Sequence, residues 1–311
     1  MYIGIDVGGT NLKAGLVDTS GQILAVVRTP LHFQSAEALA ETLASLALDA
    51  VEKAGQTVSA VESVGIGIPG AVSDGTVLYT ANIPMRDVPL EKLFRRHLDL
   101  PVFLGNDADC AAVGEYLLGA GKGTRDFLVI TLGTGIGGGL ILGGKLQSGM
   151  GCGGEVGHMV IERNGIPCSC GRRGCWEAYA SATGLVRMAQ EAMKAHPESL
   201  LHPLSQPSGL EGRTVFEAAE AGDPTALELC DTYVSYLAEG LTNLINILHP
   251  EVAAIGGGIA AAPEKFLLSP LREFIKQNCF GRHAGRVPEI VTAALGNHAG
   301  IVGAALLQRV L

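Results

Sequence analysis

The segment FLVITLGTGIGGG, residues 127–139, decides how the rest of the chain is interpreted. Its first half is apolar and rich in β-branched residues, which predicts a buried strand, and its second half contains too much glycine to continue as a helix. Glycines remove the side chains that would keep a ligand away from the backbone N–H groups. Such a concave row of donors suits phosphate oxygens, so residues 132–137 are predicted to form a phosphate-binding turn.

A second copy of this pattern begins at residue 3. The segment IGIDVGGTN, residues 3–11, is again a strand followed by a glycine turn, and Gly8 aligns with Gly133. Two similar halves, each with a phosphate turn, suggest a nucleotide held in a cleft between two domains. Asp6 opens the first turn at a position where a carboxylate could hold a magnesium ion. The alternative is that both segments are ordinary glycine-rich hairpins.

The composition is that of a compact enzyme or binding protein. Of 311 residues, 47% are hydrophobic and 17% are charged, and the net charge of −9 argues against a general nucleic-acid binder. No apolar stretch is long enough to span a membrane, and Met1 leads into the first strand without a signal peptide. We therefore expect a cytoplasmic protein whose seven cysteines are free thiols or metal ligands.

The remaining sequence alternates strands and helices, which predicts an α/β protein. Further strands are predicted at residues 21–28, 63–68, 102–104, 252–255 and 290–294. Helices are predicted at residues 36–53, 90–98, 108–118, 176–195, 214–221, 224–247, 263–278 and 300–311, with Ser35 capping the first. The glycine-rich segment 119–123 is a candidate hinge. It separates an N-terminal lobe, residues 1–118, from a C-terminal lobe, residues 119–298, and the closing segment 299–311 is expected to pack back on the first lobe.

Two predicted strands lead directly into candidate site residues. Pro69-Gly70 follows one strand and Asn106-Asp107 follows another. Ligand clefts of α/β proteins commonly open at the carboxyl ends of strands. Asp107 stands where a strand meets a helix, so its local sequence is compatible with a helix N-cap as well as with a catalytic carboxylate.

Four residues form the most specific chemical pattern. The segment CSCGRRGC, residues 168–175, places Cys168, Cys170 and Cys175 on one short loop, and His158 lies ten positions before the first of them. A Cys₃His set is a tetrahedral ligand set for zinc, and four protein ligands leave no position for water, so a structural zinc is expected. The alternative is a group of reduced cysteines or a disulfide.

The zinc hypothesis has consequences for the neighbouring residues. His158 could bind zinc through one ring nitrogen and direct the other N–H towards a substrate. Glu155 and Glu177 flank the metal ligands, and carboxylates beside an N–H donor suit a polyhydroxylated ligand. The alternative for each glutamate is a solvated surface position. The other cysteines, Cys110, Cys152, Cys230 and Cys279, are expected to be buried apolar residues.

Together these motifs resemble those of the ROK family of repressors, open-reading-frame proteins and sugar kinases, and most closely its bacterial glucokinases. The matching segments are DVGGTN (6–11), GNDA (105–108), the 131–139 loop, EVGH (155–158), CSCGRRGCWE (168–177) and the closing AGIVGAA (299–305). The resemblance covers essentially the whole chain. One departure is Asp109, where an Asn is common in the family.

The resemblance implies an actin-like, ribonuclease H-like ATPase fold, in which two lobes with mixed sheets surround a central cleft. It also implies a hexokinase-type enzyme of glycolysis that phosphorylates a hexose, most simply glucose, at its 6-hydroxyl with ATP and Mg²⁺. Asp107 would be the general base that takes the proton from the sugar hydroxyl, which replaces the N-cap interpretation.

Residue roles follow from the matching positions. The sugar-binding residues implied are Gly70, Asn82, Asn106, Asp107, Glu155, His158 and Glu177. The residues implied to bind ATP and its magnesium ion are Asp6, Gly8, Gly9, Thr10, Asn11, Lys13, Thr131, Gly133, Thr134, Gly135, Gly256, Gly257 and Gly258. Among these, Asp6 would hold hydrated Mg²⁺ and residues 256–258 would border the adenosine.

Three matters stay open at the level of sequence. A kinase for N-acetylmannosamine, fructose or allose could share every motif named above. A sugar-sensing repressor of the same family is a further alternative, but such proteins carry an N-terminal winged helix-turn-helix for which the strand beginning at Ile3 leaves no room. The oligomeric state cannot be read from the sequence, and only the family's habit of forming dimers implies a homodimer. The expected ligands are sugar and ATP, and no binding to nucleic acid or membrane is expected.

Overall fold

A computed structural model of the chain describes residues 1–80, 82–207 and 209–311. Its strands, numbered along the chain, are β1 Tyr2–Val7, β2 Asn11–Val17, β3 Ile23–Pro30, β4 Ser63–Ile68, β5 Ala71–Ser73, β6 Thr76–Tyr79, β7 Arg86–Val88, β8 Val102–Asn106, β9 Phe127–Leu132, β10 Ile136–Leu142, β11 Lys145–Leu146, β12 Val252–Gly256 and β13 Glu289–Thr292. Its α-helices are α1 Ala36–Lys53, α2 Leu90–Arg95, α3 Asp107–Leu118, α4 Glu177–Ala180, α5 Ala182–Ala195, α6 Leu201–Leu204, α7 Gly212–Glu220, α8 Pro224–Leu248, α9 Leu268–Asn278 and α10 Ala299–Ala305. None of the helices in this described part is long and apolar enough to cross a lipid bilayer.

Tertiary contacts divide the chain into two compact units. Unit 1 comprises Met1–Val129, Gly139–Gly154 and Ala294–Leu311, and unit 2 comprises Ile130–Gly138 and Glu155–Ala293. Strands β9 and β10 therefore contribute residues to both units. The lobe boundaries inferred from the sequence, at residues 118 and 298, stay a prediction.

The first sheet has five strands in the order β3-β2-β1-β4-β8. β1, β2 and β3 pair antiparallel, whereas β1, β4 and β8 pair parallel. The register places Asp6 opposite Lys13 and Ile68 opposite Asn106. Because the carboxyl ends of parallel strands meet at one edge, the end of β1 that carries Asp6 lies on the same side of this sheet as Gly70 and Asp107, which follow β4 and β8.

Two further sheets complete the strand topology. One has the order β11-β10-β9-β12-β13 and is also mixed, since β10 and β11 are antiparallel while β12 and β13 are parallel. The other is a small antiparallel sheet in the order β5-β6-β7, which the sequence pattern did not predict. Its strands have three or four residues each, too few for a readable alternation of apolar and polar side chains.

The first helix confirms the sequence interpretation in detail. The Ser35 hydroxyl accepts the N–H of Ala38 at 3.1 Å, which satisfies one of the free donors at the start of α1. The predicted apolar face, including Leu39, Leu43 and Val51, is buried against the first sheet in the core of unit 1. The 3.6-residue spacing of these side chains is therefore what fixes the helix to the sheet.

Four helices differ from their predicted bounds by three residues or more. The helix expected at 90–98 ends at Arg95. The helix expected at 176–195 is interrupted at Ser181, whose extended backbone (φ −83°, ψ 169°) ends α4 and whose hydroxyl caps α5 by accepting the N–H of Gly184. The helix expected from residue 263 begins at Leu268, after a 3₁₀ turn over Glu264–Phe266. The closing helix ends at Ala305 and is followed by a 3₁₀ turn over Leu307–Arg309.

Helix α10 packs on α3, β1 and β4 within unit 1, at distances that exclude side chains. A Cβ atom on Gly4 of β1 would lie 1.8 Å from the carbonyl oxygen of Ile301, and one on Gly65 of β4 would lie 1.7 Å from that of Ala304. On the α3 side, a Cβ atom on Gly303 would lie 1.6 Å from the carbonyl oxygen of Cys110. Glycine at these positions lets the backbones of a helix and a sheet touch directly.

A buried carboxylate organises the segment that follows α3. Glu115 is 1% exposed, and its carboxylate accepts the backbone N–H groups of Ala120 at 3.0 Å, Ala294 at 2.9 Å and Leu295 at 2.6 Å. Three donors offset the cost of burying this charged group. The candidate hinge 119–123 thus begins at residues that are hydrogen-bonded to α3, and its role as a hinge stays a prediction.

We expect the substitution Gly303→Ala to destabilise unit 1 by about 1–3 kcal/mol, because the new methyl group would overlap the backbone of α3. The thermal unfolding midpoint should fall by about 2 °C or more, as followed by circular dichroism without ligands. Gly9→Ala is the matched control, since a Cβ atom there meets no atom within 4 Å. Equal midpoints for the two variants would contradict the close packing of α10.

Candidate active site and metal centre

The first glycine turn, between β1 and β2 in unit 1, is held by its own backbone and by one ion pair. The N–H of Gly8 donates to the carbonyl of Asn11 at 2.9 Å, and Asn11 Nδ2 donates to Thr10 Oγ1 at 2.9 Å. Across the antiparallel pair, Lys13 Nζ lies 3.1 Å from Asp6 Oδ2. The Asp6 carboxylate retains further lone pairs, so this single acidic ligand suits Mg²⁺, which keeps most of its water and phosphate ligands.

Asn106 and Asp107 occupy the junction between β8 and α3, also in unit 1. Asn106 is the N-cap of α3, because its Oδ1 accepts the N–H groups of Ala108 at 2.8 Å and Asp109 at 3.3 Å. Asp107 is the first helical residue, and its exposed carboxylate accepts the N–H of Ala108 at 2.9 Å. The capping role considered for Asp107 therefore belongs to Asn106. The positive end of the helix dipole favours the ionised form of Asp107.

Gly70 is fixed to this junction by Asn106. The side-chain Nδ2 of Asn106 donates to the Gly70 carbonyl at 3.0 Å, which uses one of the two amide protons and leaves the other. Gly70 has φ +121°, and a Cβ atom on it would lie 2.2 Å from the Tyr79 carbonyl oxygen. Glycine is required here both by its conformation and by the close approach of the chain after β6.

Asn82 lies in the loop between β6 and β7 and is exposed. Thr80 holds this loop, because its hydroxyl donates to the carbonyl of Ile83 and its N–H donates to the carbonyl of Met85 at 3.2 Å. Thr80 and Ile83 are buried, so the loop has a fixed base beneath an exposed amide side chain.

The second glycine turn, at residues 132–136 of unit 2, is anchored by the segment that contains α4 and α5. The carbonyl of Gly133 accepts the N–H of Ala182 at 2.9 Å, and the carbonyl of Thr134 accepts the Thr183 hydroxyl at 2.8 Å. On the other side, the N–H of Ile136 donates to Glu177 Oε2 at 3.1 Å. These contacts join residues more than forty positions apart, so no local sequence signal could have revealed them.

The third glycine turn follows β12 in unit 2 and approaches the end of β9. Gly257 has φ +83°, and a Cβ atom on it would lie 2.3 Å from the carbonyl oxygen of Leu132. Gly258 begins a 3₁₀ turn, and a Cβ atom there would meet no atom within 4 Å. The candidate adenosine turn and the second phosphate turn are thus neighbours in unit 2.

The four candidate metal ligands come together in unit 2. One ligand atom from each of His158, Cys168, Cys170 and Cys175 lies within 4.8 Å of all the others. Cys170 Sγ and Cys175 Sγ are 3.7 Å apart, and Cys168 Sγ is 3.6 Å from His158 Nδ1. The corresponding edges of a zinc tetrahedron are about 3.8 Å between two sulfurs and about 3.6 Å between sulfur and nitrogen. The disulfide alternative is not supported, because bonded sulfurs lie about 2.05 Å apart.

Glycines and backbone hydrogen bonds shape the loop at residues 168–175, called the metal loop below. The N–H of Cys168 donates to the carbonyl of Arg172 at 2.9 Å, which closes the first part of the loop. Gly174 has φ +79°, and a Cβ atom on it would lie 1.7 Å from the carbonyl oxygen of Glu162. Burial raises the pKa of the Cys175 thiol to about 12, whereas a backbone hydrogen bond from Arg172 lowers the pKa of Cys170. A metal ion that binds here must displace the protons of its thiol ligands.

His158 faces the metal ligands with one nitrogen and Glu155 with the other. Its Nδ1 is the atom near Cys168, and its Nε2 lies 3.9 Å from Glu155 Oε2. Both residues belong to a short 3₁₀ segment that packs against the start of β10, where a Cβ atom on Gly157 would lie 2.4 Å from the carbonyl oxygen of Ile136. The glycine in the EVGH motif is thus explained by contact with the second glycine turn.

The remaining cysteines follow the sequence interpretation with one exception. Cys110, Cys230 and Cys279 are buried, and burial raises the pKa of Cys230 to about 12. Cys152 is exposed, so its predicted burial was wrong. It lies in the glycine-rich loop before Glu155, where tight turns carry the backbone along the surface and leave side chains unpacked.

Each unit therefore brings together its own set of predicted residues. Unit 1 holds the first turn together with Gly70, Asn82, Asn106 and Asp107, whereas unit 2 holds the second and third turns, the metal ligands, Glu155 and Glu177. The contacts that the sequence did not predict include the capping by Asn106, its hydrogen bond to Gly70, and the bonds that hold the second turn.

Comparisons with known proteins show which family the chain belongs to. A model of the ROK family matches residues 2–310. Glucokinase from Halalkalibacterium halodurans is 39% identical over 99% of this chain and 94% of its own length. Glucokinase from Streptomyces coelicolor is 39% identical over 99% of this chain and 98% of its own length.

A solved structure has the same architecture. The crystal structure of a ROK family glucokinase from Streptomyces griseus, in complex with glucose and AMPPNP, has a TM-score of 0.83 and 39% identity to this chain, with 98% of each chain covered. This similarity and the mixed sheets confirm the predicted α/β, actin-like ATPase fold. The family match over nearly all of the sequence identifies the chain as a member of the ROK family.

Proposed function

We propose that this protein is a hexokinase-type sugar kinase that transfers the γ-phosphoryl group of ATP to the 6-hydroxyl of glucose. The observation that carries the proposal is the β8–α3 junction, where Asn106 caps the helix and leaves the Asp107 carboxylate exposed as the first helical residue. The glucokinase relatives and the glucose and AMPPNP complex of the Streptomyces griseus protein support glucose and ATP as substrates.

The two glycine turns are proposed to bind the phosphates. The N–H groups of residues 9–10 and 134–135 would donate to phosphate oxygens, and the hydroxyls of Thr10 and Thr134 would add to them. The N–H of Gly8 is used within the turn, where it donates to the Asn11 carbonyl. Asp6 would hold the hydrated magnesium ion, and residues 256–258 would border the adenosine. Charge that develops on the transferred phosphoryl oxygens is then met by donors whose directions are fixed before the reaction.

Asp107 is proposed to be the general base. Its ionised carboxylate takes the proton of the sugar 6-hydroxyl while the oxygen of that hydroxyl attacks the γ-phosphorus. A new oxygen–phosphorus bond forms, the bond to the β-phosphate oxygen breaks, and ADP leaves with the electron pair. The hydrogen bond from the Ala108 N–H orients the carboxylate, which is exposed at the start of α3.

The remaining sugar contacts are proposed for Gly70, Asn82, Asn106, Glu155, His158 and Glu177. Carboxylates accept hydrogen bonds from adjacent hydroxyls, and the remaining Asn106 amide proton can donate to a sugar oxygen. His158 offers Nε2 on the side opposite its metal-facing Nδ1. Its tautomer would therefore be determined by metal binding.

We propose a structural zinc ion at the Cys₃His set. The ligand separations support a tetrahedral ion, and the four protein ligands leave no open position for a reacting water. When bound, the ion would cross-link His158 to the loop at residues 168–175.

The choice of glucose is tested by comparing kcat/KM for glucose, N-acetylmannosamine, fructose and allose in an assay coupled to ADP release. We expect glucose to have the highest value, and we expect glucose 6-phosphate dehydrogenase to accept the product. A higher value for another hexose would reject glucose but leave the kinase assignment intact. An absence of ADP release with every sugar would reject the kinase assignment.

We expect Asp107→Asn to lower kcat by about 100-fold or more, because asparagine keeps the shape of the side chain but cannot accept the proton. The KM values for glucose and ATP should change by only a few-fold. Asp99→Asn is the control, since that exposed carboxylate pairs only with an arginine on the surface in the described structure, Arg95 at 2.9 Å. A kcat within about tenfold of the wild-type value would count against Asp107 as the base.

For the metal, we expect about one zinc equivalent in the purified protein by elemental analysis, and a large loss of zinc in Cys170→Ser. Cys152→Ser is a matched control because Cys152 is also exposed but lies outside the ligand cluster. Equal zinc contents in these two variants would rule out the proposed centre.

A further inference from the structure

The Glu177 carboxylate contacts two functional segments of unit 2 at once. Its Oε2 accepts the N–H of Ile136 at 3.1 Å, at the exit of the second glycine turn. Its Oε1 lies 3.4 Å from Ser169 Oγ and 3.9 Å from Cys168 Sγ, both in the metal loop. One side chain therefore joins the predicted metal centre to the predicted phosphate turn.

The backbone strengthens this connection. Glu177 is the first residue of α4 and lies two positions after the metal ligand Cys175. The intervening Trp176 is fully buried and donates its indole N–H to the carbonyl of Tyr236 at 2.9 Å. A displacement of the metal loop would therefore act on Glu177 through a short, tightly held stretch of chain.

The turn itself is shaped to admit this carboxylate. A Cβ atom on Gly135 would lie 2.1 Å from Glu177 Oε2, so a side chain at this position would displace the oxygen from its place beside the turn. The other anchors of the turn, from Ala182 and Thr183, hold the carbonyls of Gly133 and Thr134. The hydrogen bond from Ile136 to Glu177 fixes the point where the turn re-enters a strand, and so influences where the preceding N–H groups point.

We propose that Glu177 is a positioning residue for nucleotide binding, which couples the metal loop to the second phosphate turn. This inference rests on the proposed function, in which that turn binds ATP phosphates. Glu177 acts on the nucleotide only through the turn, and this role is additional to its predicted contact with the sugar. It follows that an intact metal loop strengthens the binding of ATP as well as that of the sugar.

The test separates the two ligands by calorimetry. Binding of Mg·AMPPNP is measured without sugar, and binding of glucose is measured without nucleotide. Glu177→Ala should raise the Kd for Mg·AMPPNP by about tenfold, because the Ile136 N–H loses a charged acceptor. Glu177→Gln retains an oxygen that can accept this N–H, so its Kd for Mg·AMPPNP should stay within about threefold of the wild-type value.

Glu155→Ala is the matched control. Glu155 is also a predicted sugar ligand in unit 2, but its described contact is with His158 Nε2, at 3.9 Å, and not with the turn. Both alanine variants should weaken glucose binding, and only Glu177→Ala should weaken nucleotide binding. If neither variant changes the Kd for Mg·AMPPNP, Glu177 is a sugar ligand alone and the inference is overturned.

Metal removal provides a second measurement that needs no variant. Chelation of the metal ion from the wild-type protein should make hydrogen exchange at the Ile136 amide faster. In the chelated protein, Glu177→Ala should not raise the Kd for Mg·AMPPNP any further. Unchanged exchange at Ile136 would overturn the coupling even if Glu177→Ala fails to fold. If the untreated wild-type protein phosphorylates glucose, unchanged exchange at Ile136 rejects only the coupling and leaves the proposed function intact.

Discussion

The direct contact between backbones in unit 1 is the constraint on which the candidate site residues of this unit depend. Helix α10 lies on β1, β4 and α3 at positions where Gly4, Gly65 and Gly303 carry no side chains. The same strands and helix carry Asp6, the segment before Gly70, and Asp107. Because the backbones touch, a sideways movement of any one element would overlap main-chain atoms of another. The candidate catalytic carboxylate thus stands on a rigid base, as a group that must hold a hydroxyl in line for attack requires.

In unit 2, hydrogen bonds rather than direct backbone packing hold the functional segments in place. Its glycine turn is fixed by hydrogen bonds with Ala182, Thr183 and Glu177. Its metal loop is shaped by glycines and brings four candidate ligand atoms within 4.8 Å of one another. Loop backbone that carries function must be supported from outside, since a turn has few hydrogen bonds of its own. The two units therefore use different physical means to position backbone N–H groups and side chains.

The sequence was informative where a pattern is local. Ser35 before an apolar helical face predicted α1 with its cap, and the spacing of three cysteines and one histidine predicted a cluster that the fold does form. It was uninformative about contacts between residues far apart in the chain, such as Glu177 and Ile136. It was also uninformative where two neighbouring residues could both take the same role. Asn106 and Asp107 are both good helix caps, and only the end of β8 decides that Asn106 takes the position. The sequence around Ser181 is likewise compatible with the interior of one helix, and only the extended backbone and capping hydroxyl of Ser181 show that one helix ends and another begins there.

The charges of the site explain why turn geometry matters so much for the proposed reaction. Neither residues 6–11 nor residues 131–137 contain a lysine or arginine, and Lys13 is paired with Asp6. In the proposed reaction, these turns would meet the phosphate charges with backbone N–H groups, and Asp6 would contribute a bound Mg²⁺. A lysine can follow a displaced phosphate by changing rotamers, whereas an amide N–H points only where its peptide plane directs it. The hydrogen bonds that hold the turn contact no phosphate, but they determine where the amide N–H groups point. They therefore contribute to nucleotide recognition together with the amides.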